Sequence, residues 1–185
     1  MEFLIAKAED IPALCLLINN AYRGNSSRKG WTTEADFLDG QRTDPDSLSE
    51  LMELEKSPEL RKAVVLKAEE SDKIVGCVYL RKDEDSAYLG MLTVNPELQN
   101  SGLGKKILNS AEQFSSEKWA CRKMRMRVIS NRETLIQWYQ RRGFELTGEF
   151  EPWPYGNPKF GIPKRSDLKF SILSKTLAAG PLFIG

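Results

Sequence analysis

The stretch Tyr88-Leu89-Gly90-Met91-Leu92-Thr93-Val94-Asn95-Pro96-Glu97-Leu98-Gln99-Asn100-Ser101-Gly102-Leu103-Gly104-Lys105 decides the fold. Residues 88–94 are apolar enough for a buried strand. Leu103, Ile107, Leu108, Ala111 and Phe114 then recur at the spacing of one helix face. A strand, a short polar loop and a glycine-punctuated helix start form a device for holding phosphate. The first N–H groups of a helix lack internal partners and lie at the positive end of its dipole. Gly102 and Gly104 carry no Cβ that would keep a diphosphate away from them. The plainer alternative is an ordinary helix N-terminus.

Working outward, residues 2–8 read as a strand. Ile11, Leu14, Cys15, Ile18 and Tyr22 form an apolar helix face behind Asp10 and Pro12. Thr33 is placed to cap a short helix through Glu34, Phe37 and Leu38. Leu48, Leu51, Met52 and Leu54 predict another amphipathic helix after the turn at Asp44-Pro45. Strands are expected at 62–70 and 73–81, joined by the polar turn 70–73. On the far side, Met124, Met126 and Val128 alternate with Lys123, Arg125 and Arg127 in a further strand. Thr134, Leu135, Trp138 and Tyr139 define a short helix closed by Gly143. Strands at 144–150 and 167–175 follow, and the prolines of 151–161 exclude a regular central strand there.

The chain has 185 residues, suited to one domain over 1–177 with an apolar tail at 178–185. A net charge of +1 offers no global attraction to nucleic acid or a membrane surface. No apolar run approaches the roughly 20 residues that span a bilayer. Cys15, Cys77 and Cys121 are isolated and odd in number, which fits reduced thiols of a cytoplasmic protein. With no histidine in the chain, His-based acid–base chemistry and the common zinc sites are excluded, and no metal is expected.

Gln99-Asn100-Ser101-Gly102-Leu103-Gly104 fits the Q/R-x-x-G-x-G/A signature of the GNAT N-acetyltransferases. Leu92-Thr93-Val94-Asn95-Pro96 resembles that family's fourth strand and its exit. Asn131, followed by Trp138-Tyr139-Gln140-Arg141-Arg142-Gly143-Phe144-Glu145, resembles its second motif. The resemblance is strongest over 64–148. It implies a mixed α/β fold, with a twisted, mostly antiparallel sheet of about seven strands flanked by helices. It also implies acetyl-CoA as donor, with its pyrophosphate on Gln99, Asn100, Ser101, Gly102, Leu103, Gly104 and Lys105. By position, the backbone of Leu92 and Val94 would meet the thioester carbonyl and the pantetheine arm. Tyr139 would be the general acid and Asn131 would steady the arm. Read from spacing alone, Tyr139 is more often a core aromatic, and Asn131 is equally a helix cap.

Acetylation of an amine also needs a proton acceptor. Some members of the family carry a glutamate early in the fourth strand, where this chain has Tyr88. Glu34 is the first candidate base, with Glu84, Asp85 and Glu149 behind it; Glu34 also reads as a first-turn helix carboxylate. Tyr22, Arg23, Trp31, Glu34 and Arg42 on one side, with Trp153, Tyr155 and Phe160 on the other, are expected to form the acceptor site. The partner is a small-molecule or peptide amine, and a homodimer is an open alternative to a monomer. The competing functional class is a non-catalytic CoA-binding or regulatory module.

Overall fold

A computed structural model describes residues 1–23, 27–28, 33–54, 56 and 60–178. The expectations for Trp31 and for tail residues 179–185 therefore lie outside the described residues. The elements are β1 (Glu2–Ile5), α1 (Ile11–Tyr22), β2 (Leu38–Asp39), α2 (Pro45–Leu51), β3 (Ala63–Glu70), β4 (Lys73–Asp83) and β5 (Ser86–Val94). They continue with α3 (Leu103–Trp119), β6 (Lys123–Ile129), α4 (Glu133–Gln140), β7 (Glu145–Pro152), β8 (Ile162–Pro163) and β9 (Lys169–Thr176). Seven strands form one sheet in the order β1-β3-β4-β5-β6-β9-β7, antiparallel throughout except between β5 and β6. The mixed α/β, mostly antiparallel sheet expected from the sequence is the one observed.

Alternation along β3 shows how the layers are built. Val64, Leu66 and Ala68 pack with Leu103, Ile107 and Leu108 of α3 and with Leu135, Ile136 and Tyr139 of α4. Ala63 and Val65 turn the other way, onto Leu14, Leu17 and Ile18 of α1 and Leu48 of α2. A third, smaller cluster joins Leu38, Ile129, Trp153, Leu168 and Phe170.

That third cluster corrects one expectation. Instead of a helix capped by Thr33 through Leu38, residues 35–37 form turns and Leu38–Asp39 is a strand, paired with Ile162–Pro163. Leu38 is 1% exposed, so packing against Trp153 and Phe170 outweighs the local capping signal. The Thr33 hydroxyl instead accepts from the Ala35 N–H at 3.2 Å. Other differences are at element ends. The first strand stops at Ile5 because a 3-10 turn occupies Ala8–Asp10, and β7 runs on to Pro152, which its edge position tolerates.

Strand β5 breaks its own alternation. Ala87 and Leu89 face α3, and so do Leu92 and Val94, while Met91 faces α1. The change of phase is made by a bulge: Cys77 pairs with Thr93 but Tyr79 with Gly90, and Met91 adopts φ +46°.

Candidate active site

The strand pairing opens the site. β5 and β6 pair only over Ser86–Tyr88 and Lys123–Arg125. Beyond that point the two parallel strands are no longer paired, so the edge of β5 from Leu89 onward is not engaged by β6. Such an edge is a template for an added extended chain. The Met91 bulge lies at the parting, and strained backbone of this kind concentrates where a ligand is met. The Tyr22 hydroxyl donates to the Leu92 carbonyl at 2.9 Å, so Leu92 is held from the α1 side.

At the end of β5 the chain turns sharply into α3. The Asn95 side chain accepts from the Glu97 N–H at 3.1 Å and the Ser101 hydroxyl donates to the Leu98 carbonyl at 2.6 Å. Gln99 reaches back from the loop to the Val94 carbonyl at 3.3 Å. Asn100 at φ +70° and Gly102 at φ +82° curl the loop onto the helix, whose first turn contains no acid. The earliest backbone bond into the turn is from Lys106 N–H to the Gly102 carbonyl. The N–H groups just before it lie at the positive end of the helix dipole, with Lys105 and Lys106 exposed beside them.

A cleft of about 100 Å³ lies at the parting. Of the residues singled out in the sequence, it brings together Tyr22, Arg23, Glu34, Arg42, Leu92, Tyr139, Trp153 and Phe160. Tyr139 is 5% exposed, stacked edge-on against Trp138 and Phe144, and burial raises its phenol well above the ordinary value. Tyr22 is pushed up to about 12, by burial first and by the Glu34 charge second.

Glu34 is enclosed by guanidiniums. Its carboxylate meets Arg23 at 2.6 Å, Arg132 at 3.4 Å and Arg42 at 4.0 Å. Arg23, Glu34 and Arg132 are each less than 10% exposed. Burial lowers the Arg23 pKa and the Glu34 charge opposes that shift. The buried Arg23 Nε has no hydrogen-bond partner among the described residues.

Some expected residues lie elsewhere. Tyr155 is 47% exposed and acts as a strut: its hydroxyl accepts from the Leu168 N–H and donates to the Arg165 carbonyl. Glu84 and Asp85 occupy the β4–β5 turn, at the end where β5 and β6 are still paired. Glu149 is tied to Arg125 at 2.6 Å. Asn131 lies in the turn between β6 and α4, with its Oδ1 buried and unpartnered among the described residues. The Asp167 carboxyl is held below the usual range chiefly by Arg165, with Asn131 a lesser contributor. Sequence reasoning missed Arg132, Tyr88 and Met91 as cleft residues. Arg132 directly follows Asn131, which was the signal available.

Comparison with known proteins shows the family and the fold. The model of the acetyltransferase (GNAT) family matches residues 28–144. The spermine/spermidine N(1)-acetyltransferase of Bacillus subtilis (strain 168) is 33% identical over 58 residues, 31% of this chain. That match spans only 38% of the relative's own length. In fold, the ribosomal-protein-S18-alanine N-acetyltransferase of Escherichia coli aligns with TM-score 0.68 at 12% identity, over 100% of this chain and 98% of that one. A GNAT family acetyltransferase from Elizabethkingia anophelis, solved with acetyl-CoA bound, aligns with TM-score 0.54 at 20% identity, over 63% of this chain and 77% of that one. The chain belongs to the GNAT acetyltransferase family.

Proposed function

We propose that this chain is an acetyl-CoA-dependent N-acetyltransferase, and that the acceptor amine attacks the donor directly in a ternary complex. The observation that carries the reading is the parting of β5 from β6. The anion-binding start of α3 lies beyond the end of β5, and the cleft lined by Tyr139 lies beside the parting.

The residues present fit the donor. The N–H groups of Gly102, Leu103, Gly104 and Lys105 would hold its diphosphate, within the loop formed by Gln99, Asn100 and Ser101. The open edge of β5 through Leu92 and Val94 would take the pantetheine arm as an added strand. Asn131 Oδ1 is buried without a donor among the described residues and would accept from an amide N–H of the arm. Bound acetyl-CoA supplies the activated acyl group.

The rest of the chemistry belongs to the chain. A Leu92 N–H directed at the acyl oxygen would contribute about 3 kcal/mol as charge develops there. Tyr139, whose raised pKa keeps Oη protonated across the working range, would give its proton to the departing sulfur. Glu34 is the single carboxylate lining the cleft among the described residues, and three guanidiniums crowd it. It is the shared counter-ion of Arg23, Arg42 and Arg132. With that carboxylate engaged by the arginines, water in the cleft would receive the proton of the amine.

Thermal unfolding with and without acetyl-CoA, followed by free-thiol release over a panel of amines, tests the reading. At 100 times Kd a ligand of the native state adds about 2.7 kcal/mol, several degrees in a chain of this size. A shift together with amine-dependent thiol release is expected. A shift without release from any amine would favour a non-catalytic CoA-binding module, and no shift in folded protein would end the acetyltransferase reading.

A further inference from the structure

The cleft is built for an anion as well as for an amine. Among the described residues, four arginines (Arg23, Arg42, Arg127 and Arg132) and one glutamate line it. Glu34 is already committed at 2.6 Å to Arg23 and at 3.4 Å to Arg132, leaving Arg42 the longest contact, at 4.0 Å. Arg42 is also the most open of these three side chains, at 30%, and it lines both the cleft and the groove of about 800 Å³ into which the cleft opens. Its guanidinium stands 5.5 Å from the centre of the Tyr22 ring, while the hydroxyl of that ring binds the Leu92 carbonyl. The site of the cation is therefore one aromatic side chain away from the strand that would present the acyl group. On the β6 wall, Arg127 lies over Phe160 and Phe170. Its partner Glu151 is 51% exposed, a rim pairing that solvent weakens and a ligand can exchange.

We infer that the acceptor is a small amine that itself carries a carboxylate, an amino acid, with its acid group held by Arg42 and assisted by Arg127. The inference rests on the acetyltransferase reading and names the substrate class of that site. A guanidinium presents paired N–H donors to a carboxylate, and an aromatic face beneath it fixes its plane. Two or more ammonium groups of a polyamine would enter a cleft whose arginines outnumber its carboxylates, and like charges in a partly desolvated site repel strongly. Selectivity then arises from attraction of the acid and repulsion of the polycation together. Glu34 has a positioning part: it holds the arginine cluster without cancelling its charge.

The test is free-thiol release with matched acceptors: an amino acid, the same amino acid as its C-terminal amide, and spermidine. Wild-type kcat/KM is expected at least about 10-fold higher for the acid than for its amide, with spermidine below both. Arg42→Gln should raise KM for the acid roughly 10- to 100-fold and leave KM for the amide nearly unchanged, since a charged hydrogen bond is what it removes. Stabilisation by acetyl-CoA should survive in Arg42→Gln, which establishes that the variant is folded. Spermidine or the amide matching the acid would overturn the inference while leaving an acetyltransferase in place, as would an equal effect of Arg42→Gln on acid and amide. If turnover is too slow to read, thermal shifts by the N-acetyl amino acid and by N-acetylspermidine, each with CoA, report the same preference. No preference for the acid there also overturns it. Loss of acetyl-CoA stabilisation in wild type removes the underlying reading, and this inference with it.

Discussion

At the scale of single residues, Tyr139 carries the sharpest expectation. It is buried in an aromatic group with Trp138 and Phe144, and its hydroxyl makes no hydrogen bond to another described residue. Tyr139→Phe therefore removes the proton donor with little disturbance of packing. We expect kcat to fall about 10²-fold or more, while stabilisation by acetyl-CoA and the unfolding temperature stay close to wild type. An unchanged kcat in steady-state assays would take Tyr139 out of the acid role. Its position was legible because a motif surrounds it. Arg132 was not, since an arginine following a strand reads as a solvated cation until Glu34, 98 positions away, is brought to within 3.4 Å of it. Glu34 illustrates the same limit. A carboxylate after two threonines looks like a first-turn residue, and only the fold makes it the shared counter-ion of three arginines.

At the scale of elements, the strand–loop–helix unit divides into a readable part and a concealed one. The glycine loop is local chemistry and was legible from Gln99 to Lys105. Gly102 sits at φ +82°, and a Cβ there would meet no described atom within 4 Å. Gly102→Asn keeps a residue that tolerates left-handed backbone and adds a side chain where the diphosphate would lie. It should leave the fold intact, by circular dichroism and unfolding temperature, yet weaken acetyl-CoA stabilisation by about 10-fold in apparent Kd. Full retention of the shift would mean that the α3 N-terminus does not hold the donor. The Met91 bulge was concealed because residues 88–94 are nearly all apolar. The phase change between Ala87 and Leu89 on one side and Leu92 and Val94 on the other is written in the sequence, but a continuous apolar run hides it.

At the scale of the whole molecule, two helical layers bury titratable groups that prefer to stay neutral. Cys77 is pushed up to about 12 by burial, Tyr22 also to about 12, and Tyr139 higher still. Each raised value means that the folded state holds its proton more tightly than the unfolded chain, where thiols ionise near pH 8.5 and phenols near 10. Their stabilisation is complete at neutral pH and is lost as pH rises through the folded values. The unfolding temperature should therefore be level with respect to these groups around pH 7 and fall from about pH 9 upward. Cys77→Ala should make that fall shallower, a result readable by calorimetry against pH. What the sequence determined by itself were the features that arise between near neighbours: helix faces, strand alternation, the glycine loop, and the absence of histidine chemistry. Residues 33–38 and the acceptor cleft were decided only by tertiary structure. Leu38 becomes a strand because Trp153 and Phe170 cover it, and the arginine cluster exists because the sheet order places α1, the segment at Arg42 and the end of β6 around one opening. Local propensities are worth a few tenths of a kcal/mol per residue, whereas burying one large side chain contributes about 2 kcal/mol, so packing across distant segments decides wherever the two disagree.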